Sequence, residues 1–298
     1  MQKKIIDLIV SLYRPALNLY AARKLVTPFT PYLICKYHLS DEIRLRRLRW
    51  LNPQSKDVTK YAREVKAQDW IFCDVDLIEK FVETILPQIQ NQFILITGKW
   101  HLPCLEESKY TDVLIRSEKV MLWFSQNMII DHPKCHPFPY GICHINTWAV
   151  LKEMKKTIIN RNNEIYFSHL TIHGHLPPAI KAERRDLKER MDEWCPQPMY
   201  LAKLHKYCFV VTPHGDRPET YRHWEAIALG CMPISNLPYQ YRKLFAQNMI
   251  YLDEMKDVLQ LNPNDLTYSC PDVKIVTVSY WINKIKELAE EIVRDQGR

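Results

Sequence analysis

The chain has 298 residues, of which 47% are hydrophobic as in ordinary water-soluble proteins, and a formal net charge of +7 at pH 7. This length can bury two modest cores, since domains commonly have about 100 to 150 residues. The positive charge suits an anionic ligand. No DNA- or RNA-binding motif accompanies it, and we therefore do not expect nucleic acid as a partner.

Cysteine usage and the N-terminal sequence bear on cellular location. The nine cysteines are odd in number and scattered, often in apolar surroundings such as those of Cys73, Cys208 and Cys231. This pattern favours reduced thiols in the cytosol over a disulfide framework. The apolar run Ile5 to Tyr13 is too short to span a bilayer and lacks a cleavage site. We expect a cytoplasmic protein without a transmembrane segment; its oligomeric state stays open.

The first 55 residues carry weak signals. Lys3 to Leu19 predicts an amphipathic helix that Pro15 interrupts, and Pro28 and Pro31 predict a turn before the apolar run Tyr32 to Cys35. A cluster of four arginines follows, namely Arg44, Arg46, Arg47 and Arg49. It is either a solvated basic face or a contact for an anionic glycan or membrane surface.

Two carboxylates follow the first clear strand. Asp69 to Lys80 reads as a short strand that runs into Asp74 and Asp76, and Leu77 to Leu86 predicts a helix that ends at Pro87. Carboxylates at the end of a strand are well placed for general-base catalysis or for a metal ion. The alternative for Asp76 is a purely structural role as the N-cap of the helix.

Strands and helices then alternate. Phe93 to Thr97, closed by Gly98, and Val120 to Ser125 predict buried strands of a parallel sheet. The loop residues Lys99, Trp100 and His101 are predicted at the carboxyl edge of that sheet.

The prolines and glycine of Asp131 to His144 predict a linker, and we place a domain boundary there. Ligand types suited to zinc also occur in this stretch, at His132, Cys135, His136, Cys143 and His144. The paired C-x-x-C spacings of structural zinc sites are absent, and we therefore predict no metal site.

A second set of elements begins with the predicted strand Ile165 to Ser168. Its loop contains His169, His173 and His175 and leads into a charged helix that carries Arg184 and Arg185. The start of a helix after a strand is a common phosphate site, whereas the alternative for these arginines is an exposed position beside acidic neighbours. Further on, the backbone of Gln197 to Leu204 is predicted to flank a nucleotide base.

The most informative run is Lys206 to Asn236, which predicts a strand, a polar loop, a helix, a turn and a strand. Tyr207 to Val211 and Cys231 to Ser235 are the strands, and Gly215 lies in the loop. The helix opens at Glu219 or Thr220, carries Arg222 and Glu225 three residues apart, and ends at Gly230. An arginine and a carboxylate at this position suit a phosphorylated nucleotide, and the alternative is an exposed ion pair. Ser279 to Arg294 predicts a terminal amphipathic helix.

This run resembles the C-terminal signature of exostosin-like glycosyltransferases. The residues that carry the resemblance are Pro213, Gly215, Glu219, Arg222, Trp224, Glu225, Ala226, Gly230, Pro233 and Ile234. Asp76 to Gly98 and the FPYG sequence before Ile142 also resemble that family. The resemblance spans roughly residues 56 to 255, and the chain is more similar to compact soluble members from bacteria and large DNA viruses of algae, including a chlorovirus capsid-glycan xylosyltransferase.

The resemblance implies an α/β fold of the two-domain GT-B type, in which two Rossmann-like domains face each other across a cleft. Residues 1–140 would be the acceptor-side domain with an N-terminal extension, and residues 141–298 the nucleotide-sugar domain with a terminal helix. In the family's pattern Arg222 and either Arg184 or Arg185 contact the donor diphosphate, and Glu225 contacts the ribose. Pro213, Gly215 and Glu219 belong to the same loop. Asp76 is the first choice for the catalytic base and Asp74 the second.

The implied activity is inverting transfer of a sugar from a UDP-sugar, first UDP-xylose, to a hydroxyl of an oligosaccharide or glycoprotein such as a viral capsid protein. It would need no metal and would occur in the cytoplasm, that of the host for a viral protein. The Asp74-x-Asp76 spacing also resembles the metal signature of the single-domain glycosyltransferase class. Two different functions stay open as well. One is GDP-fucose-dependent fucosyl transfer, although the usual Y-x-T-E-K run of such enzymes is missing, and the other is non-catalytic glycan binding.

Overall fold

The computed structural model describes residues 17–41, 52–98, 105, 108–156, 160–172 and 176–296. Most of the predicted helix Lys3 to Leu19 lies outside these ranges. So do several residues singled out in the sequence, namely Arg44, Arg46, Arg47, Arg49, Lys99, Trp100, His101, His173 and His175.

The chain divides into two compact units. The six-strand unit comprises Pro28–Tyr140 and the segment from Val278 onward, and the four-strand unit comprises Gly141–Thr277 and the segment that ends at Thr27. One division, between residues 140 and 141, lies inside the predicted linker. The sequence-based halves 1–140 and 141–298 differ from these units at both ends of the chain.

The six-strand unit is built on a parallel sheet with the strand order β2-β1-β3-β4-β5-β6. Its strands are β1 (Tyr37–Leu39), β2 (Lys56–Asp57), β3 (Trp70–Asp74), β4 (Phe93–Gly98), β5 (Val120–Gln126) and β6 (Cys135–Phe138). The predictions of β3, β4 and β5 are confirmed. The sequence did not predict β1 and β2, because two or three residues are too few to show an alternating pattern.

The prediction that the whole of Asp131 to His144 is a linker was wrong, because β6 lies within it. The sequence analysis did not predict this strand because it contains Pro137, and proline cannot donate a ladder hydrogen bond. Among the described strands β6 pairs with β5 alone and forms an edge of the sheet, where a proline is tolerated.

Among the described residues of this unit before residue 140, the α-helices are α1 (Thr30–Ile34), α2 (Val58–Tyr61), α3 (Ile78–Lys80) and α4 (Lys109–Arg116). The predicted helix Leu77 to Leu86 is not one regular α-helix. It consists of a 3-10 turn (Val75–Leu77), α3, a π-helical stretch (Phe81–Ile85) and a second 3-10 turn (Leu86–Gln88). The apolar side chains still face the core, where the rings of Phe81 and Phe93 meet edge to face with centroids 5.9 Å apart.

The four-strand unit contains a second parallel sheet, with the strand order β10-β9-β8-β7. Its strands are β7 (Asn162–Tyr166), β8 (Tyr207–Val211), β9 (Met232–Ser235) and β10 (Ile250–Tyr251). Its α-helices after residue 141 are α5 (Thr147–Met154), α6 (Pro178–Asp186), α7 (Gln197–Lys206), α8 (Tyr221–Ala228) and α9 (Arg242–Phe245). The chain therefore has an α/β fold with two parallel sheets, as the sequence predicts.

The order strand, loop, helix, turn and strand predicted for Lys206 to Asn236 is confirmed as β8, α8 and β9. Gly230 follows α8 with a φ of 71°, a left-handed conformation that glycine adopts without strain. Arg161 links two helix ends: its guanidinium donates to His205 O and to Leu229 O, each at 2.6 Å. These carbonyls lie at the C-terminal ends of α7 and α8, where a positive charge is favourable.

The terminal helix, α10 (Val278–Gln296), confirms the helix predicted for Ser279 to Arg294. It belongs to the six-strand unit, although the sequence analysis places it in the C-terminal half. The physical reason is apolar packing, since the Trp281 and Phe138 rings lie 5.7 Å apart between centroids. No helix in the described part of the chain is long and apolar enough to cross a membrane.

Candidate functional site

The strongest site candidate lies in the four-strand unit, at the carboxyl ends of β7, β8 and β9. Parallel strands bring these ends to one edge of the sheet, and in α/β proteins that edge commonly binds ligands. The loop after β8 leads directly into α8. Two cavities share Tyr221 and Arg222 of the first turn of this helix.

The first cavity, here called the arginine cavity, has a volume of about 210 Å³. Its lining residues are Leu176, Arg184, Pro213, Gly215, Asp216, Thr220, Tyr221 and Arg222. Two of the predicted phosphate ligands, Arg184 and Arg222, are thereby brought together although they lie on different helices. The neighbouring Arg185 is exposed to solvent and does not line this cavity.

Arg184 is a buried cation, with 8% of its surface exposed. Its guanidinium donates to two backbone carbonyls, Thr171 O and His214 O, the second at 2.8 Å. It forms no ion pair with any described carboxylate, and its Nε has no hydrogen-bond partner among the described residues. Burial and the nearby charge of Arg222 lower the pKa of Arg184 to about 10. The site therefore holds a desolvated positive charge, which the nearby carboxylates of Asp216 and Glu183 offset only in part.

Arg222 is half-buried and is held by two neutral contacts. Its Nη1 donates to Ser168 Oγ at 2.7 Å, in the loop after β7. Its guanidinium carbon lies 5.2 Å from the centroid of the Tyr200 ring, a cation–π distance. The sequence left open an exposed ion pair between Arg222 and Glu225. The structure does not contain that exposed pair, because Glu225 is buried and its carboxylate accepts hydrogen bonds from side-chain amides.

The loop after β8 brings backbone close to the cavity at Gly215. A Cβ atom at this position would lie 2.7 Å from Thr220 Cγ2, closer than side-chain carbons approach. The Gly215 N–H donates to Arg217 O at 3.0 Å, which closes the loop on itself. Pro213, which precedes it, is buried in the cavity wall.

A buried histidine fixes the start of α8. The Thr220 backbone N–H donates to His223 Nδ1 at 3.1 Å, and the ring proton therefore resides on Nε2, which lies 3.0 Å from Ser235 Oγ. Ser235 Oγ in turn donates to Thr212 O at 2.6 Å. Burial lowers the pKa of His223 to about 3, and the ring is accordingly neutral. This chain of hydrogen bonds links the ends of β8 and β9 to the helix that carries Arg222.

The second cavity, here called the aromatic cavity, has a volume of about 320 Å³. Its lining residues are Cys143, Asn146, Tyr166, His169, Trp194, Cys195, Gln197, Tyr200, Tyr221, Arg222 and Glu225. Four of them are tyrosine or tryptophan. Such rings offer flat apolar surfaces for a planar ligand.

Glu225 supplies the carboxylate of the aromatic cavity. Its side chain is 3% exposed, and its Oε1 accepts hydrogen bonds from Asn146 Nδ2 at 3.1 Å and Gln197 Nε2 at 3.4 Å. The second oxygen, Oε2, has no partner among the described residues. Burial raises the pKa of Glu225 to about 7, against the smaller opposing effects of Asn146 and Arg222. A ligand with hydroxyl donors would satisfy the free oxygen and favour the ionised form.

Glu219, predicted from the motif as part of the site, is fully buried behind it. Its carboxylate accepts a hydrogen bond from the indole N–H of Trp224, a residue of the same motif. This contact joins the loop to the buried face of α8. Glu219 does not line either cavity.

The two predicted catalytic aspartates lie in the six-strand unit, where β3 ends beside β1. The order of the sheet changes direction between these two strands, the usual position of ligand sites in such sheets. Asp74 is 2% exposed, and its Oδ2 accepts hydrogen bonds from Ser40 Oγ and, at 3.4 Å, from the Asp41 N–H. Asp76 is exposed in the 3-10 turn that follows. Of the two carboxylates, Asp76 is therefore the accessible one.

Comparison of the chain with protein-family models and with curated proteins gives no match. The exostosin-like resemblance thus rests on the motifs themselves, and the activity that it implies is a proposal.

The sequence contains several residues of types that bind metal ions. In the part of the chain that the structure describes, no group of three or more His, Cys, Asp or Glu side chains is arranged to hold a metal ion. The described part includes Asp74, Asp76 and the histidine and cysteine residues of 131–144. Independence of metal stays a prediction.

The sequence analysis missed several residues of the aromatic cavity, notably Asn146, Tyr166 and Trp194. Gln197 and Tyr200, which also line it, lie in the stretch Gln197 to Leu204 that was predicted to flank a base. The signal for Tyr166 was present, since it ends β7 at the ligand-binding edge. Asn146 lies 79 residues from Glu225 along the chain, and no local pattern links the two. His169, from the loop after β7, also lines the aromatic cavity.

Proposed function

We propose that the chain is an inverting glycosyltransferase that moves a sugar from a UDP-sugar, UDP-xylose first, to a hydroxyl group of a glycan acceptor. One observation carries the proposal. Arg184 and Arg222 line the same small cavity, and neither forms an ion pair with a described carboxylate. Buried cations that lack an ion-pair partner are costly, and a bound anion relieves that cost.

A diphosphate suits the arginine cavity in charge. Arginine donates several N–H groups to phosphate oxygens in charge-assisted hydrogen bonds. The start of α8 adds the partial positive charge of a helix N-terminus, which favours phosphate. Two preorganised cations also stabilise the negative charge that develops on a leaving diphosphate, a task that in other enzymes a metal ion performs.

A nucleoside suits the adjoining aromatic cavity. The rings offer stacking surfaces for a base, and the free Oε2 of Glu225 offers an acceptor for ribose hydroxyls. Arg222 lines both cavities and lies between these two groups of contacts. The choice of uridine as the nucleoside and xylose as the sugar comes from the exostosin-like resemblance. The two-domain GT-B arrangement that the proposal includes has the same origin.

In the proposed reaction the acceptor oxygen attacks the anomeric carbon of the donor sugar. The bond from that carbon to the diphosphate oxygen breaks, and the configuration inverts. Asp76 takes the proton of the acceptor hydroxyl, and UDP leaves with its negative charge offset by Arg222 and Arg184.

The first test is a thermal-shift screen of the full chain against UDP, GDP, CMP and several UDP-sugars, with EDTA and with manganese. A ligand that binds only the folded state raises the melting temperature as its occupancy increases. We expect stabilisation by UDP and UDP-sugars in EDTA.

Three results would contradict this expectation. Stabilisation that requires manganese would favour Asp74 and Asp76 as metal ligands, and stabilisation by GDP alone would favour fucosyl transfer from GDP-fucose. If no nucleotide stabilises the protein, the glycosyltransferase proposal fails and non-catalytic glycan binding becomes the better hypothesis.

The buried carboxyl of Glu225 predicts a pH dependence of UDP binding. Ribose hydroxyls donate to the ionised carboxylate, whereas below its pKa of about 7 the free protein holds the proton. Calorimetric titration should therefore show UDP binding that tightens by up to about tenfold from about pH 6 to about pH 8. The free energy of unfolding of the free protein depends on Glu225 in the opposite direction. Because the pKa of Glu225 is raised on folding, its contribution to stability is fully present below the ordinary pKa of a glutamate and is lost as pH rises through about 7.

Glu225→Gln is the matched control for this prediction. UDP has phosphate groups that titrate in the same pH range, and their effect on binding is the same in both proteins. The difference between the pH profiles of wild type and variant therefore isolates Glu225. Parallel profiles would contradict the assignment of this residue to the ribose.

A further inference from the structure

Trp194 is an exposed indole on the rim of the aromatic cavity. Its side chain is 70% exposed, whereas Trp123 and Trp224 are fully buried in the two units. Tryptophan is mostly buried in proteins, because its large ring gains free energy on leaving water. A tryptophan that faces both solvent and a cavity has unused apolar surface next to a binding space.

The segment that carries Trp194 is attached to the rest of the unit at Asp192. The Asp192 N–H donates to Phe167 O at 2.8 Å, just after β7. The Asp192 carboxylate pairs with Lys203 Nζ of α7 at 2.5 Å. Trp194 thus stands two residues beyond an anchored position and two residues before Pro196, the N-cap of α7.

The other groups of the aromatic cavity define what kind of ligand would meet this ring. Tyr166 and Tyr200 line the cavity wall with their rings, each of which already has one face in contact, with Tyr207 and Arg222 respectively. Glu225 adds the free carboxylate oxygen. A ligand that satisfies all of them has a flat ring on one side and hydroxyl donors on the other. A nucleoside has both, and it adjoins the phosphates that the arginine cavity would hold.

We propose that Trp194 stacks on the nucleobase of the bound nucleotide and is a determinant of affinity for ligands that carry a base. This inference rests on the proposed function and adds the residue that contacts the base. Stacking on an aromatic face tolerates different bases. The contribution of Trp194 should therefore be similar for uridine and guanosine diphosphates.

The test is calorimetric titration of wild type, Trp194→Ala and Trp194→Phe with UDP, GDP and inorganic pyrophosphate. We expect Trp194→Ala to weaken UDP and GDP binding by about 5- to 150-fold, and Trp194→Phe to restore most of the affinity. Pyrophosphate has no base, and its affinity should be equal in all three proteins. Tyr239→Ala is the matched control, because Tyr239 is also 70% exposed and lies outside both cavities.

Fluorescence adds a direct readout. UDP should quench wild-type emission more than emission of Trp194→Phe. Unchanged UDP affinity in Trp194→Ala, together with weakened affinity in Arg222→Ala, would overturn the stacking inference and leave the proposed function standing. Equal loss of UDP and pyrophosphate binding in Trp194→Ala would also overturn it. A wild type that binds neither ligand would refute the proposed function and this inference with it.

Discussion

Asp76→Asn is expected to lose glycosyl transfer by about 10²- to 10⁴-fold and to bind UDP as tightly as the wild type. The substitution keeps the size of the side chain and removes its ability to take a proton. Because Asp76 is exposed at the end of β3, its loss should not unfold the protein. The measurement is release of UDP from UDP-xylose with a panel of simple glycosides as acceptors, alongside calorimetric titration with UDP.

Asp74→Asn is the control that separates chemistry from folding. Asp74 is buried, and its carboxylate joins the ends of β1 and β3 through Ser40 and Asp41. Weakening these hydrogen bonds should cost about 1 to 3 kcal/mol of folding free energy. Activity measured well below the melting temperature should fall much less than in Asp76→Asn. The roles are reversed if Asp76→Asn keeps the wild-type rate and Asp74→Asn abolishes activity without loss of stability.

Replacing either cavity arginine, as Arg222→Ala or Arg184→Met, is expected to weaken UDP binding by about 10- to 150-fold. Each variant removes a charge-assisted contact to phosphate from a cavity in which Arg184 is buried and Arg222 half-buried. Pyrophosphate should lose affinity to a similar extent, because the contact is to phosphate and not to the nucleoside. Isothermal titration with both ligands measures the effect.

Arg185→Ala is the control, since it removes the same charge one residue away. Arg185 is exposed and lies outside the arginine cavity, so UDP affinity should stay within about twofold of wild type at physiological salt. Arg184 also donates to two backbone carbonyls, and the melting temperature of Arg184→Met therefore has to be measured alongside its affinity. Unchanged UDP affinity in Arg222→Ala would remove the diphosphate assignment. Loss in Arg185→Ala with none in Arg184→Met would exchange their roles.

The choice between Arg184 and Arg185 illustrates what local sequence contains. In α6 the buried residues are Ile180 and Arg184, and the buried Leu187 follows immediately after the helix. They are four and three residues apart along the chain. This spacing matches the helical period, with Arg184 on the apolar face and Arg185 on the exposed one, although the sequence analysis left the choice between them open. That signal indicates burial but not a ligand, because a buried position is equally typical of the core.

Glu219 shows the converse limit of motif-based prediction. It stands in the motif beside Arg222 and was assigned to the site for that reason. The structure instead buries it against the Trp224 indole. A sequence motif therefore contains buried residues that hold the loop in place as well as residues that contact the ligand.

The sequence by itself determined the elements β8, α8 and β9, the α/β class and the presence of an arginine and a carboxylate on one helix. These follow from signals that act within a few residues, namely apolar runs, turn residues and helical spacing. Only the tertiary structure decided that Arg184 joins Arg222, that Asn146 and Gln197 share Glu225, and that Trp194 stands at the cavity rim. These contacts join distant parts of the chain, and packing of the sheet and its helices brings them together, which no local pattern encodes.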